Sequence, residues 1–169
     1  MLKRNFNPRA KHDFEIREQG GCYRSATEDE IIETALSIIN TRFKKGTMIT
    51  EPKHTHDFLK LELAHEEHEL FAVMWMDNRH QVIAFEALFR GTIDAASVYP
   101  REVVKSALEH NAAACILCHN HPSGLAEPSY ADKSITQKVK DALNLIDVRT
   151  LDHIIVAETT YSFAEHGLL

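Results

Sequence analysis

Two histidines and an aspartate, residue types that bind metal ions, follow an apolar run in the stretch CILCHNHPSGLAEPSYADKSIT. Side chains alternate along a strand, so His119 and His121 are expected on one face, with backbones about 6 to 7 Å apart. From that separation two imidazoles can reach one zinc ion at about 2.0 to 2.1 Å. Asp132 lies near the start of the next predicted helix and can return to the same point as a third ligand. Two histidines and one carboxylate leave a fourth position for water, which is the pattern of a catalytic zinc site.

The residues between these ligands favour the same geometry. Pro122 ends the strand directly after the second histidine, so both imidazoles would lie at its open end. The loop PSGLAEP lets the chain turn, and Ser129 follows it, three residues before Asp132 and on a neighbouring helical face. A buried strand, a turn and a helix N-terminus would therefore bring these side chains together.

The spacing of these residues resembles a known motif. The pattern is similar to the JAMM motif of the MPN/JAB metalloprotease fold. One residue separates His119 from His121, Ser129 follows after seven more residues, and Asp132 follows after another two. The wider segment ASVYPREVVKSALEHNAAACILCHNHPSG, together with PSYAD and LDHIIV, resembles the bacterial RadC-like family. The resemblance covers about Phe58 to Leu169, about two-thirds of the chain.

The resemblance implies a function and a set of roles. In JAMM enzymes the two histidines and the aspartate hold Zn²⁺, so His119, His121 and Asp132 are the expected ligands. Ser129 would stabilise the tetrahedral oxyanion through its hydroxyl. An upstream glutamate would take a proton from the water on the zinc and pass it to the leaving amine. The expected activity is zinc-dependent hydrolysis of a peptide or isopeptide bond in a peptide or protein substrate.

The position of that glutamate is not fixed by a rigid spacing. In JAMM proteins it stands at the beginning of a strand some tens of residues before the first histidine. Glu69, directly before LFAVMWM and 50 residues before His119, fits this description best. Glu86, inside VIAFEALF, is the alternative.

A non-enzymatic function is the rival interpretation. RadC-like proteins are associated with DNA repair and many MPN domains are scaffolds, so the chain would then hold DNA-bound partners together. Longer family members carry an N-terminal helix-hairpin-helix module for DNA, whereas the first 50 residues here show no glycine-rich hairpin between short helices. Scaffold MPN domains generally lose metal ligands, so the full set in this chain favours the hydrolase.

Composition sets the wider context of these predictions. The chain has 169 residues and a formal net charge of −6, which weighs against direct nucleic-acid binding. It contains no apolar run of about 18 residues that would span a membrane. Three cysteines and the lack of an apolar leader favour the cytoplasm. Exposed edge strands would permit a homodimer.

The elements that must position the site alternate between helix and strand. A first helix is predicted from Thr27, with a capping box to Glu30. Three later helices and five strands are predicted from the spacing of the apolar residues. The predicted helices and strands after the first helix are Thr55–His65, LFAVMWM, QVIAFEALF, a helix from Pro100, AAACILC, Tyr130–Leu145, LDHIIVA and YSFA. The pattern predicts a mixed α/β fold, and the resemblance implies a three-layer MPN/JAB (cytidine-deaminase-like) domain over residues 51–169. Residues 1–50 are predicted to form a poorly ordered or loosely packed arm up to residue 25, followed by a helical extension.

Two further residue pairs have structural interpretations. Cys115 and Cys118 spell C-x-x-C, but a separation of three along a strand puts the sulfurs on opposite faces, so both are predicted to pack in the core. Asp152 and His153 are interpreted as a buried, hydrogen-bonded pair that serves structure, with the orientation of a metal ligand as the alternative.

Overall fold

The computed structural model describes residues 14–17, 21, 23–42, 46, 48–49, 51–64, 66–91 and 97–169. The chain divides into two compact units, Met1–Ile38 and Ile39–Leu169. In the first unit, strands β1 (Glu15–Arg17) and β2 (Tyr23–Ser25) form an antiparallel pair, which the sequence pattern did not predict. The pairing is made by backbone groups, which need no apolar period in the sequence.

Helix α1 (Glu28–Arg42) begins with the predicted capping box. The Thr27 backbone N–H donates to Glu30 Oε2 at 2.9 Å, and the Glu30 N–H donates to Thr27 Oγ1 at 3.2 Å. Arg24 also binds the Glu30 carboxylate, and its hydrogen bond holds the Glu30 pKa below its ordinary value, at about 2. Reciprocal bonds between N-cap and N3 satisfy backbone donors that the helix itself leaves free.

The second unit contains a five-stranded sheet and three helices. Its elements are α2 (Pro52–Leu63), β3 (Leu70–Met76), β4 (Val82–Arg90), α3 (Pro100–Glu109), β5 (Ala114–Asn120), α4 (Tyr130–Asn144), β6 (Arg149–Val156) and β7 (Thr160–Ser162). The strand order is β4-β3-β5-β6-β7, with β5 and β6 parallel and every other pair antiparallel. The prediction of a mixed α/β fold is confirmed.

The sheet separates two apolar cores, which gives the unit three layers. Alternate residues of β3 face opposite sides: Met74 packs in the core that contains residues of α2, and Trp75 packs in the core that contains residues of α3 and α4. Both side chains are fully buried. Helices on both faces explain why β3 from Phe71 onward and all of β5 are buried, and why both strands are apolar up to Cys118 of β5 instead of alternating with polar residues.

The two described cysteines lie in different cores, as the strand period predicts. Cys118 packs on the α2 side and Cys115 on the α3 and α4 side, and both are fully buried. Burial raises the pKa of the Cys115 thiol to about 12 and raises that of Cys118 as well. Both thiols are therefore neutral at physiological pH and serve as core residues.

Several predicted boundaries shift by a few residues. Helix α2 begins at Pro52 instead of Thr55, because proline suits the first helical position, where no N–H is needed. Strand β5 continues through Asn120, so His119 lies inside the strand and not beyond its end. Among the described residues, no helix is both long and apolar enough to cross a membrane.

Candidate metal centre and active site

The end of β5 and the start of α4 bring three ligand-type side chains together. His119 Nε2 lies 3.3 Å from Asp132 Oδ1, and His121 Nε2 lies 3.6 Å from Asp132 Oδ2. The two Nε2 atoms are 2.9 Å apart. One ligand atom from each residue lies within 4.8 Å of the others, so the group could hold a metal ion.

The N-cap of α4 places Asp132. Ser129 is the N-cap residue, and its Oγ accepts a hydrogen bond from the Asp132 backbone N–H at 3.1 Å. In return Asp132 Oδ2 accepts from the Ser129 N–H at 2.7 Å and from its hydroxyl at 2.6 Å. A capping box thus fixes the carboxylate, while Asp132 Oδ1 stays directed at His119.

The second ring nitrogen of each histidine is bound elsewhere. His121 Nδ1 donates to the backbone carbonyl of Leu125 at 2.7 Å, since a carbonyl oxygen only accepts. His119 Nδ1 contacts Nε2 of His153 at 2.8 Å. The two Nε2 atoms are therefore the ones left to face Asp132, and outer partners of this kind orient imidazoles in metal sites.

Charge at the cluster favours a cation. Burial alone would raise the pKa of Asp132, but its interactions with the imidazoles of His119 and His121 outweigh burial and hold that pKa well below its usual range. The hydrogen bond to Asp132 raises the pKa of His121, and the charge of Glu69 adds a smaller effect. Two imidazole lone pairs at 2.9 Å repel unless a proton or a cation lies between them. The donor set fits a metal ion.

Glu69 lies beside this cluster. It immediately precedes β3, in which Phe71 pairs with His119 in antiparallel register. If this register is continued by two residues beyond the paired strands, Glu69 comes opposite His121, and the charge of Glu69 does act on His121. Its side chain is half-buried.

Glu86, the alternative, is tied to a different element. Its carboxylate accepts from the Ser106 hydroxyl at 2.7 Å and lies 3.1 Å from His110 Nε2, both next to or on α3. The hydrogen bond from Ser106 lowers the pKa of Glu86. Glu86 belongs to β4, which β3 separates from β5, so the structure brings Glu69 and not Glu86 to the histidines.

Comparison with known proteins identifies the family. The family model described as "RadC-like JAB domain" matches residues 49–168. The chain belongs to this family. The resemblance seen in the sequence is thereby confirmed. The mixed five-stranded sheet with helices on both faces is consistent with a JAB domain.

Curated relatives of the RadC-like JAB domain carry the name UPF0758 protein. One relative from Vibrio cholerae is 53% identical over 144 residues, which cover 85% of this chain and 91% of the relative. The relative from Thioalkalivibrio sulfidiphilus is 51% identical over 149 residues, or 88% of this chain and 67% of the relative. The relative from Nitrosococcus oceani is 60% identical over 127 residues, but only 57% of its own length is covered. These names state no activity.

The RadC-like JAB domain also contains a buried amide that sequence reasoning missed. Asn120 Oδ1 accepts from the Leu70 N–H at 2.7 Å, and Nδ2 donates to the carbonyls of His68 at 3.0 Å and Glu66 at 3.3 Å. These bonds fix the segment that carries Glu69 to the end of β5. A polar residue on the core-facing side of a buried strand was the available signal.

The predicted hydrogen bond between Asp152 and His153 is formed by the backbone, because the His153 N–H donates to Asp152 Oδ1 at 2.7 Å, but the two side chains do not bind each other. Adjacent residues of β6 face opposite sides, so the Asp152 carboxylate accepts from Ser162 Oγ at 2.6 Å and from the Ala164 N–H at 2.9 Å. The His153 ring lies on the other side and contacts His119. The strand period that separated the two cysteines predicts this separation too.

A cleft of about 660 Å³ adjoins the metal centre beside His121. Its wall includes Glu66, Glu67 and Glu158, while Lys60 donates to the Glu158 backbone carbonyl.

Proposed function

We propose that the chain is a zinc-dependent hydrolase of the JAMM type that cleaves a peptide or isopeptide bond. The observation that supports this most strongly is the convergence of His119 Nε2, His121 Nε2 and the Asp132 carboxylate on one point, with the charge of Glu69 close enough to act on His121. His119, His121 and Asp132 would hold the ion. When bound, zinc supplies Lewis-acid chemistry and lowers the pKa of a water ligand to about 7.

Glu69 would act as general base and then as general acid. Its carboxylate would accept a proton from the attacking water and deliver it to the nitrogen of the departing amine. Both transfers require the carboxylate to stay beside the ligands, and the bonds of Asn120 to Leu70 and His68 hold the adjoining backbone there. General acid–base catalysis of this kind contributes about 10² to 10⁴ in rate.

Ser129 would donate its hydroxyl proton to the oxyanion of the tetrahedral intermediate. In the structure that single proton is directed at Asp132 Oδ2. A rotation about the Cβ–Oγ bond would turn this proton to the substrate, and the backbone N–H of Ser129 would continue to hold Asp132. The backbone N–H of Ser129 would thus hold the metal ligand Asp132, while its hydroxyl would stabilise the oxyanion.

The test is hydrolysis by the full-length, zinc-loaded chain, assayed on quenched fluorescent peptides and on lysine-linked isopeptides. We expect Glu69→Gln to lower kcat by about 10² to 10⁴ without loss of zinc. Glu86→Gln is the matched control, because it neutralises a carboxylate of the same sheet that contacts α3, and its kcat should stay within a few-fold of wild type. Equal kcat values for the Glu69 variant and the wild type would refute the assigned base. A wild-type chain that binds zinc and cleaves no peptide or isopeptide would favour the scaffold interpretation.

A further inference from the structure

A buried chain of hydrogen bonds connects two of the expected ligands behind the metal centre. His119 Nδ1 lies 2.8 Å from His153 Nε2, and His153 Nδ1 lies 2.5 Å from Thr136 Oγ1. The Thr136 hydroxyl in turn donates to the backbone carbonyl of Asp132 at 2.5 Å. The side chains of His119, His153 and Thr136 are 0 to 2% exposed. We call these four residues the His153 chain.

The direction of each bond follows from the number of protons. The carbonyl of Asp132 only accepts, so the single hydroxyl proton of Thr136 is used there. Thr136 Oγ1 must then accept from His153, which places a proton on His153 Nδ1. A neutral imidazole has one N–H, so His153 Nε2 accepts and His119 Nδ1 donates.

The surroundings of His153 favour the neutral ring that this argument needs. The ring is fully buried and stacks on Phe163 at 4.8 Å between ring centroids, with Phe71 edge-on at 5.6 Å. Its nitrogens contact His119 and Thr136, neither of which carries a negative charge. Burial among apolar groups without a contacting carboxylate disfavours an imidazolium.

We propose that His153 and Thr136 are positioning residues that fix the tautomer of His119, with its proton on Nδ1 and its Nε2 lone pair directed at the metal position. This inference rests on the proposed function for the identity of the ion. The same hydroxyl of Thr136 binds the first turn of α4 at Asp132, so one chain of bonds aligns a ligand on β5 with a ligand on α4. Neither positioning residue touches the metal position itself.

Thr136→Val and Thr136→Ser form the decisive pair. Valine keeps the shape of the side chain but removes the acceptor for His153 Nδ1, so the His153 proton can move to Nε2 and push the His119 proton to its own Nε2. Serine keeps the hydroxyl. We expect Thr136→Val to weaken zinc binding about 10- to 100-fold, as loss of outer partners does in other metal sites, and Thr136→Ser to stay within a few-fold of wild type.

A second pair removes the other positioning residue. His153→Phe retains an aromatic ring against Phe163 but offers no acceptor to His119, whereas His153→Gln places an amide oxygen near the position of Nε2. The zinc affinity should fall in His153→Phe and should be closer to the wild-type value in His153→Gln. Thermal unfolding of each zinc-free variant identifies any change that follows from misfolding alone.

Two readouts on the full-length chain separate this inference from the proposed function. Nitrogen-15 NMR of the imidazoles in zinc-free protein reports the tautomer of His119, and competition with a chromophoric chelator reports the zinc Kd. We expect the His119 proton on Nδ1 in the wild type and the Thr136→Ser variant, and a shift towards Nε2 in Thr136→Val. A wild-type proton on Nε2, or equal zinc Kd values for the valine and serine variants, would overturn the inference. A wild type that binds no zinc but carries the Nδ1 proton would overturn the proposed function and still support the tautomer.

Discussion

Replacement of Asn120 by alanine tests how the catalytic segment is held to the sheet. The side chain is 2% exposed and makes three hydrogen bonds to backbone groups of Glu66, His68 and Leu70. Each such bond contributes about 0.5 to 1.5 kcal/mol, and a buried partner left unpaired costs about 1 to 3 kcal/mol. Water can reach part of this loop and replace some of the lost bonds. We therefore expect Asn120→Ala to lower the free energy of unfolding by about 3 kcal/mol.

Urea unfolding followed by tryptophan fluorescence measures this loss. Trp75 is the sole tryptophan and is fully buried in β3, the strand that follows the segment in question, so its emission reports the folded sheet. Asn144→Ala is the matched control, because it removes the same amide from the exposed end of α4. The control should change stability by less than about 0.5 kcal/mol. An Asn120 variant as stable as the control would refute the account of how Glu69 is positioned.

Two further predictions concern groups outside the metal centre. The pKa of Glu86 is lowered in the folded state by its hydrogen bond from Ser106, so its contribution to stability is present above its ordinary pKa and is lost as the pH falls through the folded value. Glu86→Gln should therefore be less stable than wild type by about 1 kcal/mol at pH 7, because the carboxylate is partly exposed, and the two urea midpoints should converge at acid pH; a constant difference would contradict this. In a Cys22→Ser background, Cys115 and Cys118 should not react with a thiol reagent at pH 8 until the protein unfolds, since both are fully buried and their pKa values are raised. Rapid labelling of the native protein would contradict their placement in the cores.

Much of the metal centre was predictable because it depends on local periods. Alternation along a strand placed His119 and His121 on one side, and the three-residue spacing of Ser129 and Asp132 matched a helix N-cap. Such features need only a few neighbouring residues. The apolar run LFAVMWM likewise corresponds to β3 without any shift.

The remaining features depend on contacts between distant segments. Asn120 binds backbone groups about 50 residues earlier, so no local pattern shows its partners. The choice between Glu69 and Glu86 required the register of β3 against β5, which is a tertiary property. His153 supports His119 because β5 and β6 run parallel, and this order of strands is not encoded in either strand alone.

Metal content tests the central proposal most directly. Elemental analysis of the full-length chain, after reconstitution with zinc and dialysis against a weak chelator, should give about one zinc per wild-type chain, the stoichiometry of a single three-ligand site. Asp132→Asn should lose the metal and keep the folded tryptophan emission, whereas Asp141→Asn, on an exposed side chain of the same helix, should retain it. A wild-type chain without zinc, or an Asp132 variant that retains it, would contradict the assignment of His119, His121 and Asp132 as the metal ligands.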